Sequence, residues 1–151
     1  MSSEAFQVIF NSQGSNVLTP TTTAANRTNI TYYVNWTAFL PKKYKKFHCQ
    51  FVFKSLNYAN NLTDNGFVNM NIGRVNVFDG QQMSTNLGII YPVVLIANTQ
   101  SYYSSTNNDN NDFWIDYPIN NNVTVTLNTF AGASMNTMPH YVIMLNLIGI
   151  E

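Results

Sequence analysis

Few side chains in this sequence can do acid-base, nucleophilic or metal chemistry. The chain has two histidines and one cysteine, whereas a zinc site needs about four ligands, at least three of them from the protein. His48 and Cys49 are neighbours in an alternating segment, so we expect Cys49 in the core and His48 at the surface. An enzyme would need His48 or His140 within hydrogen-bond reach of a carboxylate. We predict no catalytic residue, no metal site and no cofactor, and an enzyme is the least favoured class of function.

Three carboxylates, Asp109, Asp112 and Asp116, lie in and after a polar segment and raise the question of a calcium site. Calcium loops need several oxygen ligands around a sharp turn, often with a glycine and a bidentate glutamate. Residues 107–112 contain neither. We therefore interpret this segment as a solvated loop.

The strongest local charge feature is a turn in which four of the seven basic residues, Lys42, Lys43, Lys45 and Lys46, surround Tyr44. Three interpretations stay open: contact with an acidic surface of a neighbouring protein, contact with nucleic acid, or a solvated turn whose lysines discourage strand pairing. Four charges on one loop are few for binding nucleic acid, so we place that interpretation last.

Aromatic residues make up 14% of the chain, and Tyr33, Tyr102, Tyr103 and Trp114 need not all fit inside a core. Aromatic side chains on a β-sandwich can stack on sugars, and they are enriched at protein interfaces. The loops at 11–29 and 101–112 would give such an interface its shape. The predicted interface residues are Lys42, Lys43, Tyr44, Lys45, Lys46, Tyr102 and Tyr103.

Composition points to a protein that tolerates self-association. Charged residues make up 9% of the chain, and seven basic residues balance seven acidic ones, so copies repel one another little. A single cysteine excludes an internal disulfide and fits a reducing compartment. The first residues lack the pattern of a signal peptide, and no apolar run approaches the roughly 20 residues of a membrane span.

Alternating apolar residues predict the strands that position these side chains. Residues 30–36 and 47–54 alternate on either side of the lysine turn, and as neighbours they would form the centre of a sheet. Residues 89–96 are apolar on both faces, so we expect a strand buried on both sides with a bulge or edge at Pro92. The last segment, from residue 140, is also apolar on both faces and should be a central strand.

No segment has apolar residues at helical spacing over three turns, so helices should be short or absent. About eight strands with long polar connections predict an all-β fold, an antiparallel two-sheet sandwich of the single jelly-roll type, in one domain over 1–151. An immunoglobulin-like sandwich is less favoured because its turns are shorter and more even.

Three features carry a resemblance to known proteins: the segment from Asn35-Trp36 through Pro41 to Phe47, the Asn-rich and charge-poor composition, and the strand from Met138. In these features the chain resembles the small structural proteins of large icosahedral DNA viruses and their satellite viruses. The resemblance implies a jelly-roll minor capsid or penton-type subunit, made in the host cytoplasm and located in the virion. Its partners would be other capsid proteins, including the major capsid protein, and further copies of itself, with no small-molecule substrate. The alternative is a carbohydrate-binding, lectin-like module, because surface aromatics with Asn and Asp nearby can hold a sugar.

Overall fold

The structure is a computed structural model that describes residues 3–14, 17–20, 27–59, 62–72, 78–79, 82–83, 85–97, 99–105, 112–135 and 138–151. Within these ranges the strands are β1 (Ser3–Asn11), β2 (Val17–Pro20), β3 (Asn29–Tyr33), β4 (Lys46–Ser55), β5 (Gly66–Met70), β6 (Phe78–Asp79), β7 (Gln82–Met83), β8 (Asn86–Ile96), β9 (Gln100–Ser105), β10 (Asp112–Asp116), β11 (Asn122–Thr129) and β12 (Tyr141–Ile150). The helical element of the described residues is a 3-10 turn at Trp36–Ala38. Nowhere in these ranges does a helix reach the length and apolarity that crossing a membrane requires.

Ten of these strands form one curled antiparallel sheet. β12 lies between β1 and β4, so the prediction of a central final strand is confirmed. The second edge of β4 is shared, because β10 pairs with its first half and β9 meets it at Lys54. From β9 the sheet continues through β8, β5, β11, β3 and β2, while β6 and β7 pair separately. The predicted all-β antiparallel class is confirmed.

Strand β4 has the predicted two faces. Its odd-numbered side chains from Phe47 to Ser55 are buried, and its even-numbered side chains from Lys46 to Lys54 are exposed or half-buried. Cys49 therefore lies in the core. Three phenylalanines on this one face each contribute about 1.5–3 kcal/mol of burial, which makes β4 a major wall of the core.

The two strands that flank the lysine turn are not neighbours. β3 pairs with β11 and β2, whereas β4 pairs with β12, β10 and β9, so the expectation that they form the sheet centre together is wrong. β3 ends at Tyr33, before Trp36, and the chain then turns, with the Leu40 N–H bonded to the Trp36 carbonyl at 2.9 Å. The alternation showed which side chains are buried, but the pairing partners come from distant parts of the chain.

Strand β8 is less buried than its apolar sequence predicts. β5 pairs with β8 from Asn86 to Ile90, and beyond that point the partner of β8 among the described strands is β9. Residues 94–96 are 49–54% exposed as a result, so the expectation of burial on both faces is wrong here. Pro92 lies where β8 has become an edge, as predicted, and the register shift falls later, between Val94 and Ile96.

The predicted polar loops are partly strand. Residues 17–20 form β2 within the first loop, and residues 101–105 belong to β9, so the loop prediction at 101–112 is wrong for its first part. The reason is that Ser101 and Ser105 are buried with their hydroxyls accepting backbone N–H groups of Leu62 and Phe53. Residues 21–26 and 106–111 lie outside the described residues.

Candidate interaction surfaces

The lysine turn, residues 41–46, is held on the sheet by a buried tyrosine. Tyr44 is 1% exposed and packs edge-on against Phe6 and Phe47, with ring centres 6.2 and 6.1 Å away. Its hydroxyl donates to the Glu4 carboxylate at 3.1 Å. A Cβ added at Gly149 would lie 2.6 Å from Tyr44 Cγ, so the absent side chain makes room for the ring. Tyr44 is thus the anchor around which the lysines are displayed.

All four lysines of the turn are exposed. Lys46 Nζ lies 3.3 Å from Asp116 Oδ1, a solvent-exposed pair of the kind that contributes about 0–1 kcal/mol. Lys45 Nζ donates to the Lys42 carbonyl at 3.0 Å, and Lys43 Nζ lies 5.0 Å from the centre of the Tyr44 ring. Hydrogen bonding to Tyr44 raises the pKa of Lys43. The turn is therefore a cationic surface at neutral pH.

A surface pocket of about 350 Å³ opens beside the lysine turn. The Tyr117 hydroxyl donates to the Leu40 carbonyl at 2.7 Å, and Trp36 Nε1 donates to the Asn120 carbonyl at 2.9 Å, so these bonds tie its walls together. Ile119 is 91% exposed at its mouth. Two ammonium groups beside an apolar floor suit a partner segment that carries a carboxylate next to an apolar side chain. The pocket is lined by Thr37, Lys42, Lys45, Tyr117, Pro118, Ile119 and Asn121.

The two predicted interface tyrosines of β9 point to opposite faces. Tyr103 is 1% exposed, and burial together with the charge of Asp64 raises its pKa to about 12. Tyr102 is half-buried on the other face, with Lys54 Nζ 5.6 Å from its ring centre. Tyr44 and Tyr103 are therefore core side chains of this chain, and the predicted interface keeps the four lysines and Tyr102 at its surface.

A second surface is the outer face, the side of β1, β12, β4 and β10 that points away from the core. Trp114 is 41% exposed there and meets the His48 ring edge-on at 5.3 Å. Ile148, also exposed, is paired with His48 on the neighbouring strand. Two residues further along the strands, Gln7 Nε2 donates to Asn146 Oδ1 at 2.9 Å. Aromatic, aliphatic and amide groups with few charges are typical of the central part of a protein interface.

The groups considered for catalysis and metal binding have other partners. His140 Nδ1 and Ser12 Oγ lie 2.9 Å apart, and burial with the charge of Arg27 lowers the pKa of His140. In the part of the chain that the structure describes, no three His, Cys, Asp or Glu side chains gather into a group that could hold a metal ion. Asp109, considered for calcium, lies outside the described residues.

The tip of the hairpin between β8 and β9 is a surface that sequence reasoning missed. Val94, Leu95 and Ile96 are 49–54% exposed there, and Tyr91, further back along β8, is 38% exposed. An unbroken apolar run is typical of a strand buried on both faces, so no local signal could have identified this surface. Its exposure follows from where β5 ends.

We compared the chain with protein-family models, with curated proteins and with solved structures, and none of the three comparisons gave a match.

Proposed function

We propose that the chain is a virion structural protein, a minor capsid or penton-type subunit built on a single jelly roll. The observation that carries the proposal is the order of strand pairing. β1, β12, β4 and β10 are neighbours in one part of the sheet, and β3, β11, β5 and β8 in the other, while β9 links the parts through one pair, Lys54 with Ser104.

The order of these eight strands along the chain supports the jelly roll. Successive strands change from one part of the sheet to the other at every step except between β5 and β8. Two interleaved Greek keys produce this alternation in an eight-stranded jelly roll. The two parts then correspond to its two packed sheets, with the buried aromatic side chains between them.

The surfaces of the chain support an assembly role. A shell subunit contacts several neighbours at once, and this chain exposes three surfaces with apolar groups: the pocket beside the lysine turn, the outer face and the tip of the β8–β9 hairpin. A formal net charge of zero leaves little repulsion between copies. The resemblance of residues 35–47 to small viral structural proteins points the same way. The partners would be other capsid proteins, including the major capsid protein, and further copies of this chain in the virion.

We assign the lysine turn to electrostatic contact with an acidic segment of a neighbouring capsid protein. Lys42 and Lys45 both line the pocket, whereas Lys46 is already close to Asp116. Charges at the rim of an interface act mainly on the rate and selectivity of association. Reversing the two pocket charges should therefore disturb assembly without disturbing the fold.

The test is incorporation into particles purified from infected host cells, measured by peptide mass spectrometry. The natural chain is expected in the particles, and the double variant Lys42→Glu/Lys45→Glu is expected to be incorporated at least tenfold less. Lys42→Arg/Lys45→Arg is the matched control, since it changes the same two pocket side chains and keeps both positive charges. Absence of the natural chain from purified particles would contradict the proposal. Equal loss in the control would contradict the role of the turn.

A carbohydrate-binding module is the second candidate, and Trp114 is the observation that favours it. Its ring is partly exposed on the outer face, two residues along the strands from the level of the Gln7–Asn146 hydrogen bond. Aromatic faces next to amides can hold a sugar. On a glycan array, binding that is lost in Trp114→Ala would support this candidate. No binding to any glycan would exclude it and leave the capsid proposal intact.

A further inference from the structure

Strand β1 has a partner on one side only among the described strands. It pairs with β12 over nine residues, from Ser3 with Ile150 to Asn11 with Val142. β1 is the first strand in the strand order of the sheet, next to β12. Its side chains on the outer face are exposed, and Ile9 is 51% exposed. β1 is therefore an edge strand that can accept another strand.

The register shows which backbone groups of β1 are available. The Ser12 N–H donates to the Tyr141 carbonyl at 3.0 Å, and this pair continues the register of β1 with β12. Hydrogen-bonded pairs alternate along an antiparallel ladder, so the even-numbered residues of β1 bond to β12. The N–H and C=O groups of Ala5, Gln7 and Ile9 consequently point toward the open edge.

The other edges of this sheet carry features that oppose pairing. β2 is four residues long and ends in Pro20, and β10 has an aspartate at each end, Asp112 and Asp116. β1 is nine residues long, contains no proline, lysine or arginine, and carries one charge, on Glu4. Natural sheets usually protect long edges with charge, proline or short length. An unprotected edge of this length is typical of a strand that pairs with another chain.

We propose that a second copy of this chain occupies the edge, with its β1 antiparallel to the first about a two-fold axis at Gln7. In this register Gln7 lies opposite Gln7 of the second copy, and Ala5 lies opposite Ile9. Phe6 lies opposite Val8 on the core side. Each of these cross-strand pairs joins side chains of like polarity, and the two outer faces become one continuous surface.

Self-complementarity and charge favour a second copy over an unrelated strand. In this register Glu4 lies opposite Phe10, which separates the two Glu4 carboxylates by about 20 Å along the strands. Asn146 Oδ1 accepts from Gln7 Nε2 at 2.9 Å, so the amide is held on the outer face close to the axis. The inference deepens the proposed capsid role and rests on it for its place in the virion, whereas the strand pairing is measured separately.

The dimer should depend on concentration, because one added strand pair is smaller than the roughly 800 Å² per partner of a standard stable interface. Sedimentation velocity over a range of concentrations tests it. Gln7→Lys and Gln7→Glu place like charges opposite each other and should each weaken dimerisation at least tenfold. An equimolar mixture of the two variants should restore the dimer, because the axis then brings lysine opposite glutamate.

Gln50→Lys is the matched control, since it makes the same change on the outer face of β4, two strands from the edge. It should dimerise as the natural chain does. Equal weakening by Gln50→Lys, a natural chain that stays monomeric at every concentration, or a mixture that gives no dimer would overturn the proposed pairing.

Hydrogen exchange gives an independent readout of the edge. The amides of Ala5, Gln7 and Ile9 should become protected as concentration rises, whereas those of Phe6 and Val8 should be protected at every concentration. Unchanged exchange at the first three amides would overturn the pairing. A monomeric chain that is present in purified particles would overturn the pairing alone, and a β1 dimer absent from particles would overturn the capsid role alone.

Discussion

The hydroxyl oxygen of Ser105 accepts a hydrogen bond from the backbone N–H of Phe53 at 2.9 Å. Between the same two strands, the Ser55 hydroxyl accepts the Tyr103 N–H at 2.6 Å. β4 and β9 share one residue pair, Lys54 with Ser104, so the regular ladder stops here. Two buried serine hydroxyls thus satisfy N–H groups that would otherwise be unbonded in the core. This seam joins the two parts of the curled sheet.

Replacing Ser105 with alanine should lower the free energy of unfolding by about 1–3 kcal/mol, because it leaves the Phe53 N–H buried without its acceptor. Urea denaturation of the purified chain measures this change. Ser104→Ala is the control, because Ser104 is half-buried on the opposite face and its hydroxyl donates to the Ser105 carbonyl at 3.1 Å instead of accepting a buried N–H, so it should cost less than Ser105→Ala, at most about 1 kcal/mol. Equal effects of the two substitutions would argue against the role of the Ser105 hydroxyl.

Gly149→Ala should destabilise the chain by about 1–3 kcal/mol, because the new methyl group overlaps the Tyr44 ring. The lysine turn should become more mobile, since Tyr44 is its anchor. A double-mutant cycle with Tyr44→Ala checks the cause. In the Tyr44→Ala background the cost of Gly149→Ala should fall markedly, and an unchanged cost would place the overlap elsewhere.

Trp36→Phe removes the indole N–H that donates to the Asn120 carbonyl and leaves a gap in the core. We expect a loss of about 2–4 kcal/mol in the free energy of unfolding. Trp114→Phe is the matched control on the exposed outer face and should cost less than about 1 kcal/mol. Chemical denaturation of both variants makes the comparison, and similar losses would contradict the structural role assigned to Trp36.

Stability should fall in strongly alkaline solution. Burial raises the pKa of Tyr32 to about 12, with Tyr141 lowering it in part, and burial with the Asp64 charge raises that of Tyr103 to about 12. Between about pH 10 and pH 12 the unfolded chain loses these protons and the folded chain keeps them, so the unfolded state binds fewer protons. The free energy of unfolding therefore decreases as pH rises through this window, by at most about 2–3 kcal/mol per tyrosine.

Urea denaturation at a series of pH values from neutral to strongly alkaline checks the sign and the window. Tyr103→Phe should make the alkaline decrease shallower, since it removes one of the buried phenols whose pKa is raised. A decrease of the same size in the variant would show that Tyr103 does not contribute.

The sequence allowed the faces of strands to be predicted better than their neighbours. The alternation in β4 correctly assigned Cys49 to the core, and the doubly apolar end of the chain correctly predicted a central strand. The apolar run in β8 was misleading, because its burial depends on where β5 ends. At the candidate site, the pattern located the lysine turn but not the pocket, because Ile119 and the other apolar lining residues come from a segment more than 70 residues away.

The sequence by itself determined the all-β class, the absence of long helices from the described residues and the inward face of the principal strands. Those properties follow from a side-chain period of two, which is local. The tertiary structure alone decided that Tyr44 and Tyr103 are buried, that β3 and β4 are separated, and that β1 is an edge among the described strands. These depend on pairings between distant residues, such as Val8 with Leu145. Such pairings are set by how the whole core closes, and no local pattern carries that information.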